Sequence, residues 1–394
     1  MGALSTIKPP SSKRSVLLRN GQWHTFVALG PLRGGSHSTV TKVVDVKDTE
    51  FVVKEVAGQL GREKLINEIA WLKSLPAGIA DRFPSVVKAG ISADLVYYVM
   101  PHYSLPSLRE ALFCEDLGRE KALDVLSEVL NFMFSKVYPH GRAAADPTYA
   151  EEVLFRRVSG RMEELEGAAP LFADILAAGE VVFDGETYRN SPQLIEELRR
   201  QPEVVRRLQP PFVCLAHGNF HFDNILVNPR SSACDKFILI DPRGDAQKDP
   251  YHDMGKLLTS IYTGYDFVHH DWFPVNYDMR EGKLIVNTAS RPHPAMDGYQ
   301  AIFKGFPQLL RSKGYFNAER DPDWELRVLI YQACHVLSFI PFHLKGDGVE
   351  KRAVLFYALG TKLLNECAAL LKTGEGGYLS TRDQGAGIRP WYIK

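Results

Sequence analysis

Between Val213 and Asp241 the sequence reads VCLAHGNFHFDNILVNPRSSACDKFILID. An apolar run enters a polar loop, a short apolar run follows at Ile225 to Val227, and turn residues at Asn228 to Ser232 reverse the chain. A second apolar run, Phe237 to Ile240, ends on Asp241. Two short apolar runs around such a turn predict a hairpin with polar residues at its mouth. Antiparallel partners bring opposite strand ends together, so Asn224 before the first run and Asp241 after the second are expected to converge. Two hard oxygen ligands side by side suit Mg²⁺, which takes few protein ligands and completes its octahedron with water and phosphate oxygens. Two plainer readings stand beside this one. The segment could be an ordinary hairpin with satisfied turn residues, or His217 and His221, four apart, could be a zinc pair on a helix. Gly218 and Asn219 are poor helix residues and the glutamate of HExxH is missing, which weighs against zinc.

These residues resemble the loop motif of the aminoglycoside phosphotransferase and choline kinase group, HGDxHxxN followed by a strand pair ending in Asp. His217, Gly218, His221 and Asn224 match it, and Asp241 falls on the metal-binding position that the Asp of DFG fills in protein kinases. The resemblance implies an α+β, bilobal, protein-kinase-like fold. A small antiparallel-sheet N-lobe with one main helix would precede a larger, mainly helical C-lobe. It also implies ATP or GTP with Mg²⁺ and phosphoryl transfer to a hydroxyl of a small molecule, with Asn224 and Asp241 as the metal ligands. The later stretch DPYHDMGKL resembles the family too, and gives Asp253 the role of bracing the catalytic loop from a helix of the large lobe.

One position departs from the motif. The family's catalytic Asp falls on position 219, where this sequence has Asn219. That Asp accepts the acceptor hydroxyl's proton and orients its oxygen; an amide can orient but cannot take the proton at neutral pH. Loss of the base in a loose transition state costs roughly 10²–10⁴-fold in rate. An engineered substitution, an enzyme using another base, and a pseudokinase that binds nucleotide or metabolite without turnover all remain open. His217, Asn219, His221 and Asp223 are the catalytic-loop candidates, and Asp223 is the nearest substitute carboxylate.

A kinase-like site needs a phosphate loop, a strand Lys and a helix Glu upstream. LRGGSHSTVTKVV lies between two strand-like runs, with Gly34, Gly35 and Ser36 able to offer backbone N–H groups to phosphate oxygens, although such a turn is also common in plain hairpins. FVVKEV puts Lys54 in an apolar strand, where it resembles the Lys of the third kinase strand; otherwise it is a snorkelling surface residue. Glu68 is its expected partner. It sits in GREKLINEIAWLKSL, where Leu65, Ile69 and Leu72 mark one apolar helix face. The run LVYYVMP would offer backbone groups at Met100 to His102 to an adenine edge, or be sheet core.

The runs HTFVAL, TVTKVVDV, EFVVKEV and LVYYVM are strand-like, whereas after Pro101 long amphipathic patterns dominate, at 119–134, 151–165, 194–208 and 323–342. The expected organisation is a flexible segment at 1–22, a nucleotide-binding lobe at 23–100, a catalytic lobe at 101–373 and a polar tail at 374–394 that can be set aside. Lys plus Arg (47) equals Asp plus Glu (47), so no excess field draws in nucleic acid or an anionic membrane. Five scattered cysteines without a CxxC pair argue against a disulfide framework or zinc knuckle, and no signal-peptide core precedes the first strand; a cytoplasmic setting is expected.

The acceptor site is expected in the large lobe facing Asn219. TGYDFVHHDWF and the region of His335, His343 and Asp347 supply candidate walls, with Arg243, Tyr265, Asp266 and His343 as substrate candidates and Tyr262 and Trp272 as possible stacking rings. Any of these could equally be packed core. Acids and bases are interleaved there, so a hydroxylated, roughly neutral acceptor fits better than a polycation. The stretches IDPRGD, DPYHDMGKLLTSIYTGYDF and LSFIPFHLKGD look most like a bacterial branch associated with polysaccharide and sugar-derived metabolites.

Overall fold

Val-rich segments with turn residues between them form the first layer of the protein. The computed structural model describes residues 26–32, 38–114, 117–231, 236–244, 247–289, 291–312, 321–344, 349–373, 379 and 391–392. The chain divides into two units, Met1–Ser104 with Pro242–Asp245, and Leu105–Asp241 with Ala246–Lys394.

Unit 1 holds β1 (Val27–Leu32), β2 (Thr39–Val44), β3 (Glu50–Ala57), α1 (Arg62–Lys73), β4 (Lys88–Ile91) and β5 (Leu95–Pro101). The strands form one antiparallel sheet in the order β1-β2-β3-β5-β4. Side chains alternate across a sheet. Val43, Val53, Tyr97 and Val99 pack with Phe26 in one buried cluster. Val52, Lys54, Val56 and Tyr98 therefore belong to the opposite face, and all four are buried. Helix α1 packs on β3 and β5 and buries Leu65, Glu68, Ile69, Trp71 and Leu72, so the predicted apolar stripe is the buried face and carries Glu68 inward with it. The stretch after Asp241 also belongs here. Gly244 has φ +70°, and a Cβ there would lie 2.4 Å from both the Asn67 carbonyl carbon and the Glu68 nitrogen, so only glycine lets this strand of backbone approach α1.

Unit 2 is mainly helical. Its helices are α2 (Leu108–Phe113), α3 (Arg119–Phe132), α4 (Arg157–Ala168), α5 (Pro170–Ala177), α6 (Ser191–Arg199), α7 (Pro202–Leu208), α8 (Pro250–Ile261), α9 (Tyr265–His269), α10 (Ala295–Ser312), α11 (Trp324–Phe339) and α12 (Val349–Thr373). Every residue of α11 is buried, because it packs against both α8 and α12, and its buried Glu325, Arg327, Gln332 and His335 each have a hydrogen-bond partner. The predicted pattern at 194–208 resolves into two helices, since Pro202 starts α7. Between the helices run β6 (Ala143–Ala144), β7 (Glu180–Phe183), β8 (Glu186–Arg189), β9 (Phe212–Val213), β10 (Ile225–Val227), β11 (Phe237–Leu239), β12 (Val275–Arg280) and β13 (Lys283–Thr288). A four-stranded sheet in the order β12-β13-β7-β8 was not expected in this unit. Its hairpins turn on Asp184-Gly185 and Glu281-Gly282, all with positive φ, as tight two-residue turns require.

The expectation that the segment from residue 374 onward can be set aside fails at three residues. Leu379 and Tyr392 are each 1% exposed. Trp391 donates its indole N–H to the Thr263 carbonyl at 2.8 Å, and the Tyr392 hydroxyl donates to the Ile261 carbonyl. One helical stretch among the described residues, Glu350–Thr373, is long and apolar enough to cross a bilayer; 67% of its most apolar window is buried inside the protein.

Candidate active site

The predicted hairpin is β10 and β11, antiparallel with Ile225 opposite Leu239. Its register joins the two polar ends, because the Ile240 N–H donates to the Asn224 carbonyl at 3.0 Å. Asp241 follows with φ 55°, a left-handed conformation that Asp adopts more readily than most residues.

The loop before β10 is fixed from below by α8. Asp253, fully buried, accepts the His217 N–H at 2.9 Å, the Gly218 N–H at 2.7 Å and the Tyr138 hydroxyl at 3.2 Å. Burial pushes its carboxyl up to about 6, and the two backbone donors work against that rise. Gly218, at φ 75°, supplies the bend.

Asn219 then ties the two candidate metal-ligand positions together. Its side-chain Nδ2 donates to Asp241 Oδ2 at 2.6 Å, and its main-chain carbonyl accepts from Asn224 Nδ2 at 2.8 Å. The same Asn224 nitrogen lies 3.1 Å from His221 Nε2. Burial, and then the charge of Lys256, lower His221 to about 3, so the ring is neutral and Nε2 accepts while Nδ1 carries the proton. With Nδ2 held by two acceptors, Asn224 has Oδ1 left to offer to a cation. An amide oxygen and a carboxylate form the hard donor set that fits Mg²⁺. Zinc does not fit. His217 Nδ1 accepts the Asn219 N–H at 3.3 Å, His221 faces Asn224, and no group of three His, Cys, Asp or Glu among the described residues could hold a metal ion.

Asp223, the expected substitute carboxylate, is committed elsewhere. Arg109 Nε donates to its Oδ1 at 2.5 Å and Ser107 Oγ at 3.2 Å. Burial opposes its ionisation, but the Arg109 charge prevails and holds it below the usual carboxylate range, so it is a poor proton acceptor. Arg109 was not singled out from the sequence. It precedes Asp223 by 114 residues, and no local pattern marks the pairing.

Of the substrate candidates, Tyr265 adjoins the loop and His343 adjoins Tyr265: the Tyr265 ring centroid is 5.8 Å from that of His221 and 5.8 Å from that of His343. Burial lowers His343 to about 3, so it is neutral. Asp266 is fully buried and its Oδ2 accepts the Tyr299 hydroxyl at 2.6 Å; burial and then the Asp223 charge raise it. Arg243 lies in the Pro242–Asp245 stretch assigned to unit 1. Tyr262 is core, Trp272 is bonded to the Arg291 carbonyl at 3.0 Å, and His335 Nε2 lies 3.1 Å from the His252 carbonyl. Asp347 lies outside the described residues.

In unit 1, Lys54 is 4% exposed and Glu68 fully buried, and the Lys54 ammonium donates to both Glu68 oxygens, at 2.8 and 2.7 Å. Tyr98, opposite Lys54 in the sheet, adds its hydroxyl to Glu68 Oε1 at 2.7 Å. The snorkelling reading of Lys54 is therefore excluded. The adenine-edge expectation needs correction at His102. Its N–H donates to the Glu50 carbonyl at 3.2 Å and its ring Nδ1 lies 2.9 Å from Glu50 Oε2, so that donor is used inside the unit. Met100 is paired with Val52 in the ladder. Gly34, Gly35 and Ser36 lie outside the described residues.

No family model matches the sequence, and no curated protein does. Solved structures do match. An aminoglycoside-3'-phosphotransferase of type VIII aligns at 17% identity over 86% of this chain and 93% of its own, with TM-score 0.39. A candidate fructosamine-3-kinase from Thermobifida fusca YX-ER1 aligns at 13% identity over 86% and 94%, with TM-score 0.43. A macrolide 2'-phosphotransferase type I aligns at 11% identity over 85% and 90%, with TM-score 0.39. All three are named for phosphoryl transfer to small molecules. With TM-scores below 0.5, they carry no functional inference, and the chemistry has to come from this chain's own residues.

Proposed function

We propose that this chain is a kinase-like phosphotransferase that uses ATP or GTP with Mg²⁺ and acts on a hydroxyl of a small, roughly neutral molecule in the cytoplasm. The observation that carries the reading is the hydrogen-bonded set Asn219, Asn224 and Asp241 at the mouth of a hairpin whose loop is braced by Asp253. Asn224 Oδ1 and the Asp241 carboxylate would hold the cation, which neutralises phosphate charge in such reactions. Lys54, kept charged and aimed by Glu68 and Tyr98, would contact the nucleotide phosphates. Asn219 would hydrogen-bond the acceptor hydroxyl and orient its oxygen, but it removes no proton, so turnover is slow.

Millimolar ATP with Mg²⁺ should raise the melting temperature, since a ligand that binds only the folded state stabilises it; no shift would sink the reading. In a screen of hydroxylated acceptors, Asn219→Asp should raise phosphate transfer by roughly 10²–10⁴-fold. A second reading, a pseudokinase that binds nucleotide without turnover, is favoured by the Asn219–Asp241 hydrogen bond, which occupies a metal-ligand oxygen. Inactivity of Asn219→Asp across the whole screen would select it.

A further inference from the structure

The side-chain amide of Asn219 stands where the motif has a carboxylate, and it does not stand idle: Nδ2 donates to Asp241 Oδ2 at 2.6 Å and sits 3.4 Å from the Asp241 carbonyl oxygen. Two consequences follow from elementary electrostatics. First, a carboxylate in place of this amide would face Asp241 at contact distance, and two such groups cannot both stay ionised without a cation between them. With Asn219 the set Asn219, Asn224 and Asp241 carries one negative charge, and a hydrogen-bond donor already rests on it. Second, the backbone of the same residue is anchored: the Asn219 main-chain carbonyl accepts Asn224 Nδ2 at 2.8 Å, and that nitrogen lies 3.1 Å from His221 Nε2. A cation approaching Asp241 Oδ2 therefore has to displace the Asn219 amide hydrogen bond.

We propose that Asn219 partly compensates the Asp241 charge until a cation displaces it, so that nucleoside triphosphate binding by this chain depends less on divalent metal than it would with a carboxylate at position 219. The proposal rests on the nucleotide reading above and extends it. A polyphosphate entering a site with two carboxylates needs Mg²⁺ to relieve like-charge repulsion. One that enters beside Asn219 meets a single carboxylate whose charge is already partly compensated.

The test is ATP affinity by isothermal titration calorimetry, in MgCl₂ and in EDTA, for the natural chain, Asn219→Asp and Asn219→Ala. The expected result is a change of less than about threefold on chelation for the natural chain and a loss of at least about tenfold for Asn219→Asp, the scale of one added like charge at short range. Mn²⁺ binding without nucleotide, read by electron paramagnetic resonance, should be at least about tenfold tighter in Asn219→Asp. Asn219→Ala removes the donor without adding charge, so it should bind Mn²⁺ more tightly than the natural chain; it also serves as the reporter if Asn219→Asp fails to fold. Equal cation dependence of ATP binding in the natural chain and Asn219→Asp, or Mn²⁺ affinity unchanged by either substitution, would overturn the proposal. Absence of ATP binding to every form in both buffers would instead overturn the nucleotide reading, and this proposal with it, whatever the Mn²⁺ affinities.

Discussion

Lys54 and Glu68 show how much a single buried charge depends on its partner. Both side chains are nearly inaccessible, at 5% and 1% exposure, and two short contacts join them. Removing one partner of such a pair leaves an uncompensated buried charge and costs about 3–5 kcal/mol, whereas replacing both with apolar groups of similar size can be nearly neutral. Lys54→Met should therefore lower the urea midpoint of unfolding markedly, and Lys54→Met with Glu68→Leu should recover most of the loss; two additive losses would refute the coupling. Lys54 could be found in the sequence because a charge inside an apolar strand breaks a pattern, and Glu68 because the resemblance to a kinase-like site asks for a helix acid as its partner. His217, Asn219, Asn224, Asp241 and Asp253 were legible for another reason, since their spacing is a motif. Arg109, Tyr138 and Tyr98 were not. They are ordinary residues in ordinary surroundings, and only the folded chain brings them to Asp223, Asp253 and Glu68.

At the scale of elements, α9 carries a buried acid beside the loop of residues 217–224. The Asp266 carboxyl accepts the Tyr299 hydroxyl and is raised by burial, with Asp223 adding repulsion and Tyr299, Arg109 and Ser260 opposing it. A carboxyl whose folded-state pKa lies above its unfolded value of about 3.9 contributes stability that is complete below that pH. The contribution is lost as pH rises through the folded-state value, because the buried group must then ionise. Asp266→Asn stays neutral throughout and keeps an oxygen for Tyr299. Urea unfolding at pH 5 and pH 8 should show the natural chain losing more stability than the variant over that interval. The raised Asp253 leaves a residual slope of the same sign in both. Equal slopes would mean that Asp266 is ionised across the whole interval. Hairpins and helices of this kind are partly visible in sequence: the β10–β11 hairpin and α1 match their patterns, and Asp184-Gly185 is a two-residue turn signal that could have marked β7–β8, whereas Glu281-Gly282 is no strong hairpin pair and left β12–β13 unexpected. The parallel pairing of β13 with β7 has no such signal, because Lys283 and Glu180 lie about a hundred residues apart and nothing local selects the partner.

For the molecule as a whole, the division into a sheet unit and a helical unit follows from where β-branched runs give way to amphipathic ones, and that change is plain in the sequence. What composition conceals is which polar-looking segments rejoin the core. The stretch from residue 374 is rich in Gly and charged residues, yet Trp391 and Tyr392 are anchored in unit 2. Trp391 meets Phe273 and Phe183 at ring-centroid distances of 4.8 and 5.9 Å, and Tyr392 meets Phe267 at 5.4 Å, one residue beyond Asp266. Truncating a buried aromatic costs about 3–5 kcal/mol. The two anchors also hold the carbonyls of Ile261 and Thr263, the turn that joins α8, which braces the loop at 217–224, to α9, which flanks it. Deleting Trp391 and the residues after it should therefore lower the melting temperature by several degrees and, if the turn loosens, raise hydrogen exchange at the amides of α9. Tyr392→Phe, which keeps the ring and loses only the hydroxyl, separates the two effects. It should retain most of the stability while sharing the faster exchange, and a truncated chain with unchanged melting and exchange would show that these aromatics are not part of the core.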